Sequence, residues 1–392
     1  MKTIIFLIVT LLSPYYSFAQ SNIDKILLDI EKNNNEIQTD KKYDETKRLE
    51  YKTGIFLKNP SVEYDYLFGS SIGTGNLSEL LVVQEFDFPN VYIRRKKVTD
   101  LQVSSIEHLC EILRDNILLE AKLNCIEIVY LNKKKAMLTK RFENAKSLFE
   151  KFDKRLKTGD ISIIDLNKAK LNLLNSENEL RLNQARINSV LQILSGLNGN
   201  NPVSLNDTIY PVFESISDVA TLQKSYSEND PFLKSLQSEK EISIAQISLA
   251  KSLSLPKIQA GYHSQSNTGI NFNGVHLGVT IPMWENKNTV KFAKVKVDFN
   301  SSQIENRQNQ ILSKINEIYG NCISLKKSID DYTEILKNFN NLELLNKALQ
   351  SGQFSSIEYL LELSYFYETL DKYLQLEYEY NKLVTELFKY KL

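Results

Sequence analysis

Two short turns hold the residues best suited to act beyond folding: Thr158-Gly159-Asp160 and Ser351-Gly352-Gln353. Each glycine suits the left-handed conformation that ends a helix, and a small hydroxyl side chain precedes it. Carboxylates follow closely, Asp160 and Asp165 after the first turn, Glu358 and Glu362 after the second. They could attract cations, or simply cap the next helix and complement its positive end. Bond chemistry has no such support. The chain lacks a His-Glu-x-x-His pair and a nucleophile elbow, and the glycine-rich residues 269–274 lack the lysine and helix of a phosphate loop. His108, His263 and His276 are scattered without ligand spacing. Cys110, Cys125 and Cys322 are odd in number and lie in helical patterns, which suits buried apolar thiols rather than a disulfide framework. The expectation is a non-enzyme with no metal and no cofactor.

The elements that position the turns come in two copies. Residues 23 to about 57 have helical character, with a soft polar patch at Asn33, Asn34 and Asn35. Residues 59–89 then alternate. Val62, Tyr64, Tyr66 and Phe68 share one face and Glu63 and Asp65 the other; Val82, Phe86 and Phe88 oppose Glu85 and Asp87. This period of two predicts strands at about 60–68 and 80–88. From Val91 to about Lys157 there is no proline or glycine, which predicts a helix of about 100 Å. Ser162 and Asp165 form a capping-box pattern opening a return helix with a heptad stripe at Leu166, Leu173, Leu180, Ile187 and Leu194. The first repeat thus covers 20–200, its helical hairpin about 91–197, and 201–218 is a linker.

The second repeat, 219–392, replays this order. Its strands are expected at about 256–264 and 275–281, passing straight through Pro282 into a helical hairpin at about 288–390. Gly352, Ser355 and Glu358 follow Gly159, Ser162 and Asp165 by 193 residues. Tyr359, Phe366, Tyr373, Tyr380 and Leu387 follow the leucine stripe at the same offset, as Pro282 follows Pro89. A constant offset across a proline, a glycine, a cap and five heptad positions marks duplication.

The ends bound the compartment. Lys2, an apolar run over residues 3–12 and Ser17-Phe18-Ala19 have the order of a secretory signal, residues 1–19, leaving Gln20 first. Removing it takes only Lys2 from 48 basic residues, so 47 face 48 acidic ones, a net of −1. Global attraction to nucleic acid is therefore not expected. No apolar run approaches the roughly 20 residues of a membrane helix. A spanning portion would have to be strands.

In this order of elements the chain resembles the TolC-like outer-membrane efflux family over nearly its whole mature length. The likeness rests on helix, proline, hairpin, proline, long helix, glycine turn and long helix, given twice. It rests also on Arg155-Leu156-Lys157-Thr158-Gly159-Asp160-Ile161-Ser162 and Leu349-Gln350-Ser351-Gly352-Gln353-Phe354-Ser355, which are similar to the family's turn motif. Pro60, Pro89, Pro256 and Pro282 match its swivels between strand and helix. The resemblance implies a mainly α fold with a membrane β-barrel portion: a duplicated helix–hairpin–helix–helix unit forming a homotrimer. Its barrel would have twelve shared strands and stand on a long periplasmic coiled-coil tube.

The implied role is the outer-membrane duct of a tripartite efflux pump, with a periplasmic adaptor, an inner-membrane pump and outer-membrane lipid as partners. Arg155, Thr158, Gly159, Asp160, Ser351, Gly352 and Gln353 would form the adaptor-docking end. Asp160, Asp165, Glu358 and Glu362, tripled by symmetry, would form an acidic ring at the entrance. The turns lack the family's commoner Val-Gly-Leu, which leaves the particular adaptor open. Two other readings stand beside this one: the duct of a type I protein secretion system, and a soluble periplasmic coiled-coil binding protein. Physics favours a shared barrel independently. Open sheet edges in lipid leave backbone groups unpaired, and four strands cannot close alone.

Overall fold

The structure, a computed structural model, describes residues 22–392 apart from 72, 214, 215, 217, 339 and 340. The expected signal at 1–19 lies outside the described residues. The first repeat contains α1 (Asn22–Asn33), α2 (Asn35–Tyr51), β1 (Ser61–Leu67), β2 (Leu77–Phe86), α3 (Pro89–Lys157) and α4 (Ile163–Leu197). The second contains α5 (Val219–Asn229), α6 (Pro231–Ser252), β3 (Lys257–Asn267), β4 (Ile270–Thr280), α7 (Thr289–Asn338), α8 (Asn341–Gln350) and α9 (Ser356–Leu387). A 3-10 turn, Lys389–Lys391, closes the chain. Among the described residues no helix is long and apolar enough to cross a membrane.

Four details differ from the sequence expectation. The opening helix is two helices, because extended Asn34 uses its side-chain oxygen to accept from the Glu36 and Ile37 N–H groups. A short amide side chain competes with the helix for these donors. β2 begins at Leu77 and ends at Phe86, leaving Phe88 at the N-cap position of α3 without a side-chain cap. The glycine-rich stretch 269–274 is a tight turn plus strand. Only Thr268 and Gly269 lie between β3 and β4, both with positive φ, and Gly274 sits inside β4. Two consecutive positive φ values match the twist of a two-residue hairpin. Finally, Pro282 does not lead straight into a helix, since α7 starts at Thr289.

The four strands form one antiparallel sheet in the order β1-β2-β3-β4. One row across it runs Val62, Val82, Tyr262, Val275. This face also carries Tyr64, Leu80, Ile258, Ala260, Leu277 and Val279. The opposite face carries Glu63, Asp65, Glu79, Glu85, Gln259, His263 and His276. β1 and β4 each pair on one side only. Most of the apolar face is exposed in the single chain, with Val62, Tyr64, Val275, Leu277 and Val279 all open.

The helices extend from one end of the sheet. α3, 69 residues long, is central and packs against α1, α2, α4, α6 and α9. Two cores repeat the duplication. Leu118, Cys125, Val129 and Leu194 are buried in the first, and Ile311, Ile318, Cys322 and Leu387 in the second, each pair 193 residues apart. The linker is not slack: Val203, Leu205 and Tyr210 join the first core.

Candidate functional site

The two glycine turns stand at the same end of the molecule, far from the sheet. Their geometry is nearly identical. The Asp160 N–H donates to the Arg155 carbonyl at 2.9 Å and Gly159 to Leu156 at 3.1 Å. The Gln353 N–H donates to Ala348 at 2.9 Å and Gly352 to Leu349 at 3.3 Å. Paired bonds of this kind close a helix only when the residue after the cap is left-handed, and φ is +79° at Gly159 and +73° at Gly352. No heavy atom beyond the chain neighbours lies within 4 Å of where a Cβ would stand on either glycine. The requirement is therefore backbone conformation, not crowding, and both tips are open to an approaching partner.

The hydroxyls finish the turns. Thr158 donates to the Arg155 carbonyl at 3.0 Å and Ser351 to the Ala348 carbonyl at 3.2 Å. Full capping boxes follow, Ser162 with Asp165 and Ser355 with Glu358. The hydrogen bonds that the Glu358 carboxylate accepts from Ser355, backbone first, hold it below the usual carboxylate range.

A shared apolar cluster locks the turns together. Leu148, Phe152 and Ala169 of the first repeat pack with Tyr359 and Leu363 of the second, and Leu345 and Leu349 border them. Removing the Phe152 ring from this cluster should cost about 3–5 kcal/mol. A cleft of about 570 Å³ opens between the hairpins, lined by Lys151, Arg155, Asn346, Gly352 and Tyr359. Gly352 thus faces the first hairpin, whereas Gly159 does not line this cleft.

The four acidic candidates separate into two kinds. Asp165 and Glu358 are occupied as capping residues. Exposed Asp160 shares the single Thr158 hydroxyl proton with the Arg155 carbonyl, and Glu362 lines a second groove with Gln353, Phe354 and Tyr365. The prolines also separate. Pro60 and Pro256 directly precede β1 and β3, Pro89 is the first residue of α3, and Pro282 lies seven residues before α7.

Elsewhere, Arg95 is bound to Asp87 at 2.9 Å, while Arg94 and Lys97 border a groove between α3 and α6. His108 meets Glu111, and His263 meets Glu79 across β2 and β3. All three cysteines are free, with Cys125 and Cys322 buried. Among the described residues no group of three or more His, Cys, Asp or Glu is placed to hold a metal.

The seam of the first helical hairpin was only half visible in the sequence. Beside the leucines, α4 buries Ala169, Ser176, Asn183 and Val190, again seven apart. Asn183 donates to the Leu131 carbonyl of α3 at 3.0 Å. Small and polar types at the second seam position let long helices approach closely, and a heptad of mixed Ala, Ser and Asn gives no hydrophobic signal.

No protein-family model matches the chain, and no curated protein matches it. Solved structures do. CusC, whose structures follow folding and transmembrane channel formation, aligns with a TM-score of 0.79 at 13% identity, covering 95% of this chain and 92% of that one. A Pseudomonas aeruginosa membrane protein aligns at 0.78 with 14% identity, covering 94% and 93%. The Campylobacter jejuni CmeC outer membrane channel aligns at 0.70 with 15% identity, covering 94% and 85%. The chain has the fold of these membrane proteins, an outer membrane channel among them, as the sequence resemblance implied.

Proposed function

We propose that this protein is the outer-membrane channel of a tripartite efflux pump, a passive exit duct for small molecules. The observation that carries the reading is the sheet: four strands, two free edges and an exposed apolar face over a polar one. Such a sheet is satisfied in lipid only when its edges meet those of other copies. Three copies supply twelve strands, and the polar face then lines water. The helical edges support the same closure. α4 exposes Ile164, Leu171, Leu174 and Leu182, and α7 exposes Phe292, Val295, Phe299 and Ile323. Those faces cover each other when neighbours close head to tail.

Mechanism here is positioning, not catalysis. The glycine tips dock the periplasmic adaptor, and the helices between them and the barrel form the tube. Asp160 and Glu362 present their carboxylates to the entrance, since capping ties those of Asp165 and Glu358 to their own helix ends. Opening requires the two hairpins to part at the Phe152–Tyr359 cluster. Membrane fractionation with chemical cross-linking tests the reading. The expected result is a trimer in the outer-membrane fraction; a monomer released into the soluble fraction without detergent would remove it. Co-purification with an inner-membrane pump rather than an ATP-driven protein exporter separates efflux from protein secretion.

A further inference from the structure

We propose that residues 281–288 form a wedge seated in the lipid headgroup region at the periplasmic edge of the membrane. The inference rests on the barrel reading above and adds a specific lipid contact to it. In the first repeat two residues separate β2 from α3; in the second, eight separate β4 from α7. The longer segment presents Ile281, Met283 and Trp284, exposed at 67, 71 and 78%. It is nonetheless held in place. Lys257 Nζ donates to both Glu285 carboxylate oxygens at 2.9 and 3.0 Å. Asn286 donates its side-chain amide to the Leu253 carbonyl, and the Lys287 N–H donates to the Trp284 carbonyl at 3.1 Å. Asn288, at φ +68°, turns the chain into α7. A fixed loop that keeps its largest apolar side chains outside has a partner to receive them.

Three observations select lipid as that partner. Val275, Leu277 and Val279 form the exposed apolar face of β4, and the same alternation continues through Ile281 to Met283. At the other end this face turns polar at Asn273. From Asn273 to Met283 is ten residues. The eight steps to Ile281, just past the end of β4, span about 20 Å at about 3.3 Å each and a tilt of about 40°, so the residues after Ile281 fall at the edge of an outer-membrane barrel's apolar band of about 25 Å. Within and just past the wedge, Lys287, Lys291 and Lys294 are exposed and in no ion pair among the described residues. Aromatic rings settle at the membrane interface, and lysines beside them reach lipid phosphates.

Trp284 is the chain's only tryptophan, so its fluorescence reports this loop alone. The test uses the full-length protein in phosphatidylethanolamine–phosphatidylglycerol vesicles, with Trp284→Phe as background. Flotation and conductance come first; a chain that neither floats nor conducts defeats the channel reading itself. In floated, conducting vesicles, lipids brominated near the headgroup should quench Trp284 at least about twofold, with little quenching by aqueous acrylamide. Strong acrylamide quenching without a bromolipid effect would place the ring in water. Protection from both quenchers would place it against a second copy. Either result overturns the wedge while leaving the channel standing.

Discussion

The two repeats solve the same passage between helix and strand with slack on opposite sides. In the first, nine residues lead from α2 into β1 and two lead from β2 into α3. In the second, four lead from α6 into β3 and eight from β4 into α7. Each long segment is tied by an ion pair to a strand, Lys58 to Glu85 in the first and Glu285 to Lys257 in the second. At the far end the repeats converge, with matching glycine turns and capping boxes. Duplicated parts stay alike where backbone geometry leaves one solution. They diverge where a connection has only to span a distance.

The largest expected effects fall at the turns. Proline cannot take a positive φ, so Gly159→Pro and Gly352→Pro should each abolish export while trimers persist in the membrane. Gly352→Pro should in addition lower the melting temperature, because Gly352 also borders the cleft between the hairpins. Export assays beside native gels decide this, and unchanged export in both variants would end the docking assignment.

The seam separates the repeats next. Ala169 is fully buried, while its counterpart 193 residues on, Glu362, is exposed. Ala169→Leu should destabilise by about 1–3 kcal/mol through overpacking. Glu362→Leu should stay within about 0.5 kcal/mol. Thermal melts of detergent-solubilised protein compare them; equal losses would mean that the two seams do not differ. The caps should not distinguish the repeats at all. Ser162→Ala and Ser355→Ala each remove half of a capping box and should cost about 1 kcal/mol apiece, measurable in the same melts.

The smallest contrast is chemical. Burial pushes the Cys125 thiol up to about 12, above its unfolded value of about 8.5. The folded state therefore holds this proton more tightly. Its stabilising contribution is complete below about pH 8.5 and fades as pH rises toward 12. Denaturation midpoints should fall over that window, and Cys125→Ala should flatten the fall. A thiol reagent should meanwhile label half-exposed Cys110 before Cys125 or Cys322.

Much of this architecture was legible from residue order. The constant offset of 193, the proline-to-proline hairpins, the glycine turns and the capping boxes are local codes, each set by the conformations a few adjacent residues allow. The Pro89 junction was legible because proline fits the first helical turn. At the Pro282 junction the helix start near 288 was legible, but the fixed turn before it was not, because its six residues carry no pattern of their own. The polar half of the α4 seam was equally silent.

The sequence by itself determined the repeat, the alternating strands and the long helices, because periodicity and backbone conformation are properties of neighbours in the chain. Only the tertiary structure decided that β2 pairs with β3 to merge two hairpins into one sheet, and that both turns meet over Phe152 and Tyr359. Backbone hydrogen bonds between strands are nearly blind to side-chain identity, and a packed contact depends on shape across distant segments. Neither leaves a mark in the spacing of residues along the chain.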